Sequence, residues 1–160
     1  MDAIIANIPE TLLIRTRDEE LVEVSSTFIR ESGFLKNELH HNPNPNPGEI
    51  VVTVRSVALR NAITMIEMCD TSTPYVRLIS DDDLRAYMQT IPQITEFIQS
   101  LHAFHVLDFH NLSYVLEMDR LKDFFTGFLL RRCTRENMHV IVSCMHTFRR
   151  LTQGNAAEAA

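Results

Sequence analysis

The sequence predicts an α+β domain in which a small sheet near the N-terminus is covered by helices. Two short runs of strand-forming residues, Thr11–Thr16 and Leu21–Val24, flank a charged link and indicate a β-hairpin. The β-branched run Glu49–Val54 indicates a third strand that is largely buried. From Ile94 onward, large apolar residues recur at the spacing of helices that are buried along one stripe. Strand signals that precede a series of helix signals are typical of this fold class.

Composition places the chain among single globular domains. With 160 residues, of which 45% are hydrophobic, the chain is long enough to bury a core without disulfides or metals. The formal net charge of −6 argues against general nucleic-acid binding. No apolar run approaches the ~20 residues that span a bilayer. Three scattered cysteines and a start without a signal-peptide pattern predict a cytoplasmic or nuclear protein.

The first half of the chain alternates strand and helix signals. Ser25–Thr27 offers N-cap oxygens to a short helix whose inner side carries Phe28, Ile29, Ser32, Leu35 and Leu39. Gly33 weakens this helix by ~1 kcal/mol relative to alanine, unless a close contact needs the space. The Asn-Pro pairs of 42–47 predict an exposed loop, because proline disfavours helix before it. Ser56 is then the expected cap of a helix with inner residues Leu59, Ile63, Ile66 and Cys69.

The segment after Cys69 begins with a helix break at Asp70–Pro74. The pattern leaves Tyr75–Ile79 open between a short strand and an extended connector. Ser80 and the aspartates at 81–83 place acceptors and negative charge at the start of a further short helix. Three adjacent aspartates also suggest a cation site. Capping is the better interpretation, because consecutive positions at a helix start point in different directions.

The stretch Ile94–Asp108 is predicted to form the central helix of the core. Its apolar residues Ile94, Phe97, Ile98 and Leu101 follow helical spacing and are followed by Phe104 and Val106, and Pro92 suits its first turn. Burial of a stripe of five large side chains contributes on the order of 8–15 kcal/mol before entropy is subtracted. A turn is expected at Asp108–Asn111, followed by a second long amphipathic segment from Leu112 to Gly127. A last helix, starting near Thr134, carries the stripe Met138, Ile141, Met145 and Phe148.

The order of these elements and several short motifs resemble the BTB/POZ superfamily, and within it the Skp adaptor family and its relative elongin C. The run Ala103–Asp108 resembles the alanine, alanine, asparagine, aromatic, leucine, aspartate run at the end of that family's central helix. Ile63–Cys69 resembles its helix ending in tryptophan-cysteine, with Met68 in place of the aromatic. Thr134–Met138 resembles the start of a later family helix. The resemblance covers roughly residues 11–148.

The resemblance implies a BTB/POZ-type (Skp-like) fold and a non-catalytic adaptor without a cofactor. It divides the chain into an N-terminal extension (1–10), the BTB/POZ-like domain (11–127), a C-terminal helical partner-binding extension (128–152) and a flexible tail (153–160). The implied role is to link an F-box-type substrate receptor to a cullin ubiquitin ligase. His105 and Val106 would face the cullin, and the F-box segment would be bound by Met138, Ile141, Met145 and Phe148.

Two other roles stay open at this point. BTB/POZ domains outside the Skp branch commonly pair with themselves, so a homo-oligomeric scaffold is one alternative. Asn-Pro pairs stand where the Skp family has an acidic middle loop, which favours a diverged adaptor in a complex unrelated to ubiquitin.

The sequence offers no persuasive catalytic motif. Its four glycines are not clustered into a phosphate-binding loop, and it has no Gly-x-Ser-x-Gly, His-Glu-x-x-His or Cys-x-x-Cys. A zinc site is conceivable from His102, His105 and His110, completed by Cys133, Cys144 or His146, but surface or capping histidines are the simpler interpretation. A Cys144–His146 nucleophile pair is weaker still, because the two side chains lie on different faces of a helix.

Overall fold

The computed structural model describes residues 8–132 together with Glu136, His139, Val142 and Ser143. Strands β1 (Thr11–Arg15) and β2 (Leu21–Ser25) pair antiparallel, with Arg15 opposite Leu21, so the predicted hairpin is confirmed. Seven helices follow in this part of the chain: α1 (Ser26–Glu31), α2 (Gly33–His41), α3 (Ser56–Glu67), α4 (Asp81–Thr90), α5 (Pro92–Ser100), α6 (Ala103–Val115) and α7 (Asp119–Arg132). The predicted α+β class is therefore confirmed. Across the residues described, no helix combines the length and the apolar character needed to cross a membrane.

The β-branched run after the Asn-Pro loop lies parallel to β1 but forms only one β-bridge, between Arg15 and Val51. The Arg15 N–H donates to the Ile50 carbonyl at 2.9 Å, and the Arg15 carbonyl accepts from the Val52 N–H at 2.9 Å. Ile50, Val52 and Val54 are buried, as predicted, whereas Val51 faces solvent. Beyond this bridge the Arg17 N–H donates to the Val54 carbonyl at 2.8 Å, so the segment stays beside the hairpin without forming the regular third strand that was predicted.

The single short helix predicted after β2 is two helices that meet at Ser32. The Ser32 hydroxyl accepts the Leu35 N–H at 3.1 Å as the N-cap of α2, and donates to the Leu116 carbonyl at 2.6 Å. The inner residues predicted for this region are all buried: Phe28, Ile29, Ser32, Leu35 and Leu39. The burial pattern was therefore correct although the helix is interrupted.

Gly33 lies where this junction meets the turn between α6 and α7. The Gly33 N–H donates to the Glu117 carbonyl at 3.1 Å. A Cβ on residue 33 would lie 3.0 Å from the Glu117 Cβ and 2.8 Å from its Oε2. Glu117 has a φ of 52°, which an L side chain rarely adopts, so a shift of this turn is costly. The close approach of the two backbones is therefore possible because residue 33 is glycine and has no side chain.

Gly33→Ala is expected to lower the free energy of unfolding by about 1–2 kcal/mol, although alanine favours helix, because the new methyl group overpacks this contact. Urea unfolding of the purified chain measures the loss. Glu117→Gly removes the opposing Cβ and suits the positive φ, so the double variant should recover most of the stability. An increase in stability on Gly33→Ala alone would contradict the proposed contact.

The prediction that Ile94–Asp108 forms one central helix is wrong. Helix α5 ends at Ser100, and Leu101 and His102 are extended before α6 begins at Ala103. At the break, a ring nitrogen of His102 accepts the Phe104 N–H at 3.4 Å and caps the new helix. Ile94 and Ile98 are buried as expected, but Phe97 and Leu101 are only half-buried.

The turn expected at Asp108–Asn111 is also wrong, because these residues lie inside α6. The chain turns instead at 116–118, where Leu116 and Met118 are buried. Helix α6 contacts α3 and α7, and α7 contacts α4 and α5. The helical layer is therefore centred on α6 and α7. Helix α7 is continuous through residue 127, where the sequence placed a domain boundary.

The start of α3 is capped from the hairpin link and not by Ser56, which is its first residue. Asp18 Oδ1 accepts the Ser56 N–H at 2.8 Å, and Oδ2 accepts the Ser56 hydroxyl at 2.6 Å. The Thr16 hydroxyl donates to the same carboxylate at 2.7 Å. These hydrogen bonds, those from Ser56 first, hold the pKa of the Asp18 carboxyl well below its ordinary value.

Asp18→Asn is expected to lower the free energy of unfolding by about 1 kcal/mol at neutral pH, the size of a typical N-cap effect. Because the folded-state pKa of Asp18 is lowered, its contribution is present above the unfolded-chain pKa of about 4 and is lost as the pH falls below that value. Denaturant titrations of both proteins at neutral and acidic pH measure the difference. The difference in free energy of unfolding between the two proteins should become smaller at acidic pH. A difference that does not change with pH would contradict the role of the Asp18 carboxylate as the cap of α3.

The connector and the two helices that follow it agree with their sequence signals. The Ser80 hydroxyl accepts the Asp83 N–H at 3.0 Å as the N-cap of α4, and Pro92 is the first residue of α5. Residues 75–79, left open between strand and connector, form no strand. The Asn-Pro segment 42–47 is a loop with mostly exposed residues, as predicted.

Candidate protein-interaction surface

The run that resembles the Skp family lies at the beginning of α6. His105 and Val106, the two residues predicted to face a partner, are both half-buried there. Val106 packs against the edge of the hydrophobic core, whereas His105 does not belong to that cluster. The structure thus brings both residues to the surface within one helical turn.

Phe104 is the most prominent side chain of this region, with 67% of its surface exposed. Its ring stacks on His102 with centroids 5.3 Å apart and an interplanar angle of 19°. The Phe104 N–H donates to His102 Nδ1 at 3.4 Å, and the His105 ring meets the His102 ring edge-on at 6.3 Å. These contacts hold an aromatic ring in solvent at the start of α6. We call His102, Phe104, His105 and Val106 the α6 surface.

Sequence reasoning missed Phe104, because it was assigned to the stripe of a single buried helix. The available signal was the polarity around it, because Phe104 lies between two polar residues, His102 and His105.

An ion pair ties the α6 surface to the sheet side of the domain. The Arg55 guanidinium, at the N-cap of α3, donates to the carboxylate of Asp108. The Arg55 side chain is exposed and that of Asp108 is mostly buried, so this pair links α6 to the start of α3 with a modest gain in free energy.

The second predicted partner surface consists of Met138, Ile141, Met145 and Phe148. These four residues lie outside the part of the chain that the structure describes. The same holds for Cys133, Cys144 and His146, the candidate zinc ligands or nucleophile pair.

Within the described part, no three His, Cys, Asp or Glu residues are placed to hold a metal ion. Cys69 is half-buried and its thiol donates to the Met65 carbonyl at 3.1 Å. Burial raises the pKa of the Cys69 thiol to about 11. At neutral pH this thiol is protonated and is a weak nucleophile.

A buried ion pair joins α1 to α7, and nothing local in the sequence signals it. Arg120 donates to the two carboxylate oxygens of Glu31 at 2.9 and 3.1 Å, and the two side chains are only 6% and 10% exposed. The Arg120 guanidinium also lies 4.6 Å from the centroid of the Tyr75 ring. Burial opposes the charge of Arg120, but the hydrogen bonds and charge of Glu31 outweigh it and raise the Arg120 pKa.

Asp123, one turn along α7, anchors the connector between α3 and α4. Its buried carboxylate accepts the Tyr75 hydroxyl at 2.7 Å and the Leu78 N–H at 3.0 Å, and Arg77 lies 3.7 Å away. Burial, together with the hydrogen bond to Asp123, raises the Tyr75 pKa well above its ordinary value. Arg120 and Asp123 therefore hold residues 75–78 against α7.

The described residues thus define an α+β domain with a small sheet and an exposed aromatic ring at the start of α6. A scan against protein-family models finds no family that matches the chain, and a search of the curated proteins finds no match.

Proposed function

We propose that this protein is a Skp-like adaptor of the BTB/POZ type, which links an F-box-type receptor to a cullin. The proposal rests on the resemblance of the run Ala103–Asp108 and on the exposed Phe104 within it, although this run begins α6 whereas the family has it at the end of a helix. In this proposal the α6 surface binds the cullin. The F-box segment is bound by Met138, Ile141, Met145 and Phe148.

The order of the elements supports the same proposal. A hairpin is followed by two short helices, by a segment parallel to β1 and by a series of helices. The resemblance to the Skp family implies a similar order, with one short helix and a third strand where this chain has two helices and a single β-bridge. A fold of this type supports several functions, so the argument for a cullin depends on the α6 surface.

The chemistry of the α6 surface suits a protein partner. Phe104 offers an exposed aromatic ring, and its stacking on His102 limits the rotamer entropy that binding removes. Large side chains of this kind supply most of the binding energy in protein interfaces. His102 and His105 supply polar imidazole groups at the rim, where hydrogen bonds orient a partner.

Phe104→Ala is expected to weaken binding of the cullin by about tenfold or more, the loss typical of an aromatic anchor, and His105→Ala is expected to weaken it less. Binding is measured by calorimetry with the purified full chain. Val76→Ala, a change at a residue that is exposed on the connector, is the matched control and should bind as the unmodified protein does. Equal affinity of the cullin for all three variants would contradict the proposal that the α6 surface binds it.

A homo-oligomeric scaffold is the second candidate, favoured by the outer face of the sheet. Leu21 and Val51 are exposed on either side of Arg15, their common neighbour in the sheet. Size-exclusion chromatography with light scattering tests this candidate. A stable dimer that Leu21→Lys converts to a monomer would support the scaffold over the adaptor.

A further inference from the structure

The connector between α3 and α4 contains the one serine- or threonine-proline pair of the sequence, Thr73–Pro74. The other five prolines follow isoleucine or asparagine. Residues 69–80 have no helix or strand, and Ser72, Thr73 and Pro74 are all exposed. An acceptor hydroxyl in exposed, irregular backbone is the form of substrate that a protein kinase can bind.

The exposed stretch lies between a local turn and an anchored segment. On one side, Asp70 Oδ1 accepts the Ser72 N–H at 2.9 Å within the connector. On the other side, Tyr75 and Leu78 are bound to Asp123 of α7. Thr73 therefore lies at the surface, directly before the point where α7 holds the connector.

We propose that Thr73 is phosphorylated by a proline-directed protein kinase, whose apolar pocket receives Pro74. ATP supplies the phosphoryl group. A bond forms between Thr73 Oγ1 and the γ-phosphorus as the bond from that phosphorus to the β–γ bridging oxygen breaks, the hydroxyl proton passes to the catalytic aspartate of the kinase, and ADP leaves. This site is independent of the proposed adaptor function.

The modification changes the electrostatics of the connector. Residues 71–76 carry no charged side chain. Phosphate adds a charge of about −1.5 to −2 there, with three strong acceptor oxygens. A phosphothreonine at this place is a recognition mark for a cationic partner, because guanidinium groups bind phosphate in a bidentate manner.

The test incubates the full chain with magnesium-ATP and a cyclin-dependent or a mitogen-activated kinase in parallel, and maps phosphate by mass spectrometry. At least one kinase is expected to place a single phosphate on Thr73. Thr73→Ala should abolish it, and Pro74→Ala should slow it by about tenfold or more, the discrimination expected when an apolar pocket loses its occupant. Thr71→Ala and Ser72→Ala are the matched controls and should be modified at the unmodified chain's rate.

Thr73→Ser keeps the acceptor hydroxyl and should still be phosphorylated, so it separates loss of the acceptor from a change in fold. Absence of phosphate with both kinases would overturn the proposal. So would phosphate that persists in Thr73→Ala, or a rate that Pro74→Ala leaves unchanged.

Discussion

Glu31→Ala is expected to lower the free energy of unfolding by about 3–5 kcal/mol, because it leaves the Arg120 guanidinium buried and unpaired. The pair is held by two hydrogen bonds and is nearly inaccessible to solvent. In a chain of this size the loss corresponds to a decrease in melting temperature of roughly 10 °C. Thermal and urea unfolding of the purified protein measure it.

A double replacement separates two contributions to the loss of stability: the lost attraction between Glu31 and Arg120, and the cost of leaving the Arg120 charge buried without a partner. Glu31→Met combined with Arg120→Met fills the site with apolar side chains and should recover most of the stability. The exposed pair Arg60–Glu20 provides the control, since its side chains are 54% and 49% exposed at a distance of 2.6 Å. Glu20→Ala should cost less than about 1 kcal/mol. If Glu31→Ala cost no more than Glu20→Ala, the buried pair would not stabilise the fold.

Met145→Asp or Phe148→Asp is expected to weaken binding of an F-box segment by about 100-fold or more, because a carboxylate would be desolvated against an apolar partner. Cullin binding should stay near normal in these variants, since the α6 surface is unchanged. Val106→Asp should have the reverse effect. Pull-downs with each partner alone, repeated by calorimetry, measure the two affinities separately.

Each of these variants must first show an unchanged melting curve. Val106 contacts the core, so its replacement perturbs folding more readily than that of Phe104, which is mostly exposed. Phe104→Ala therefore repeats the cullin test at a position that the core does not need. If folded variants of both ends kept every partner, the two-ended adaptor would be untenable.

The sequence by itself determined the elements whose signals are local. The hairpin follows from two strand-forming runs that flank a polar link. The start of α4 follows from Ser80 and the aspartates behind it, because an N-cap needs only the three residues that follow. The buried residues of α1 and α2 were predicted from helical periodicity, which continues on both sides of the break at Ser32.

Tertiary structure decided the features that depend on distant partners. Asp18 caps α3 from 38 residues away, and Glu31 neutralises Arg120 across 89 residues. No local pattern encodes either pair. The division of Ile94–Asp108 is of the same kind. Its apolar spacing is compatible with one helix, but α5 packs on α4 and α7 while α6 packs on α3 and α7. One straight helix cannot satisfy both sets of neighbours, so the chain bends at Leu101–His102, and this bend leaves Phe104 in solvent.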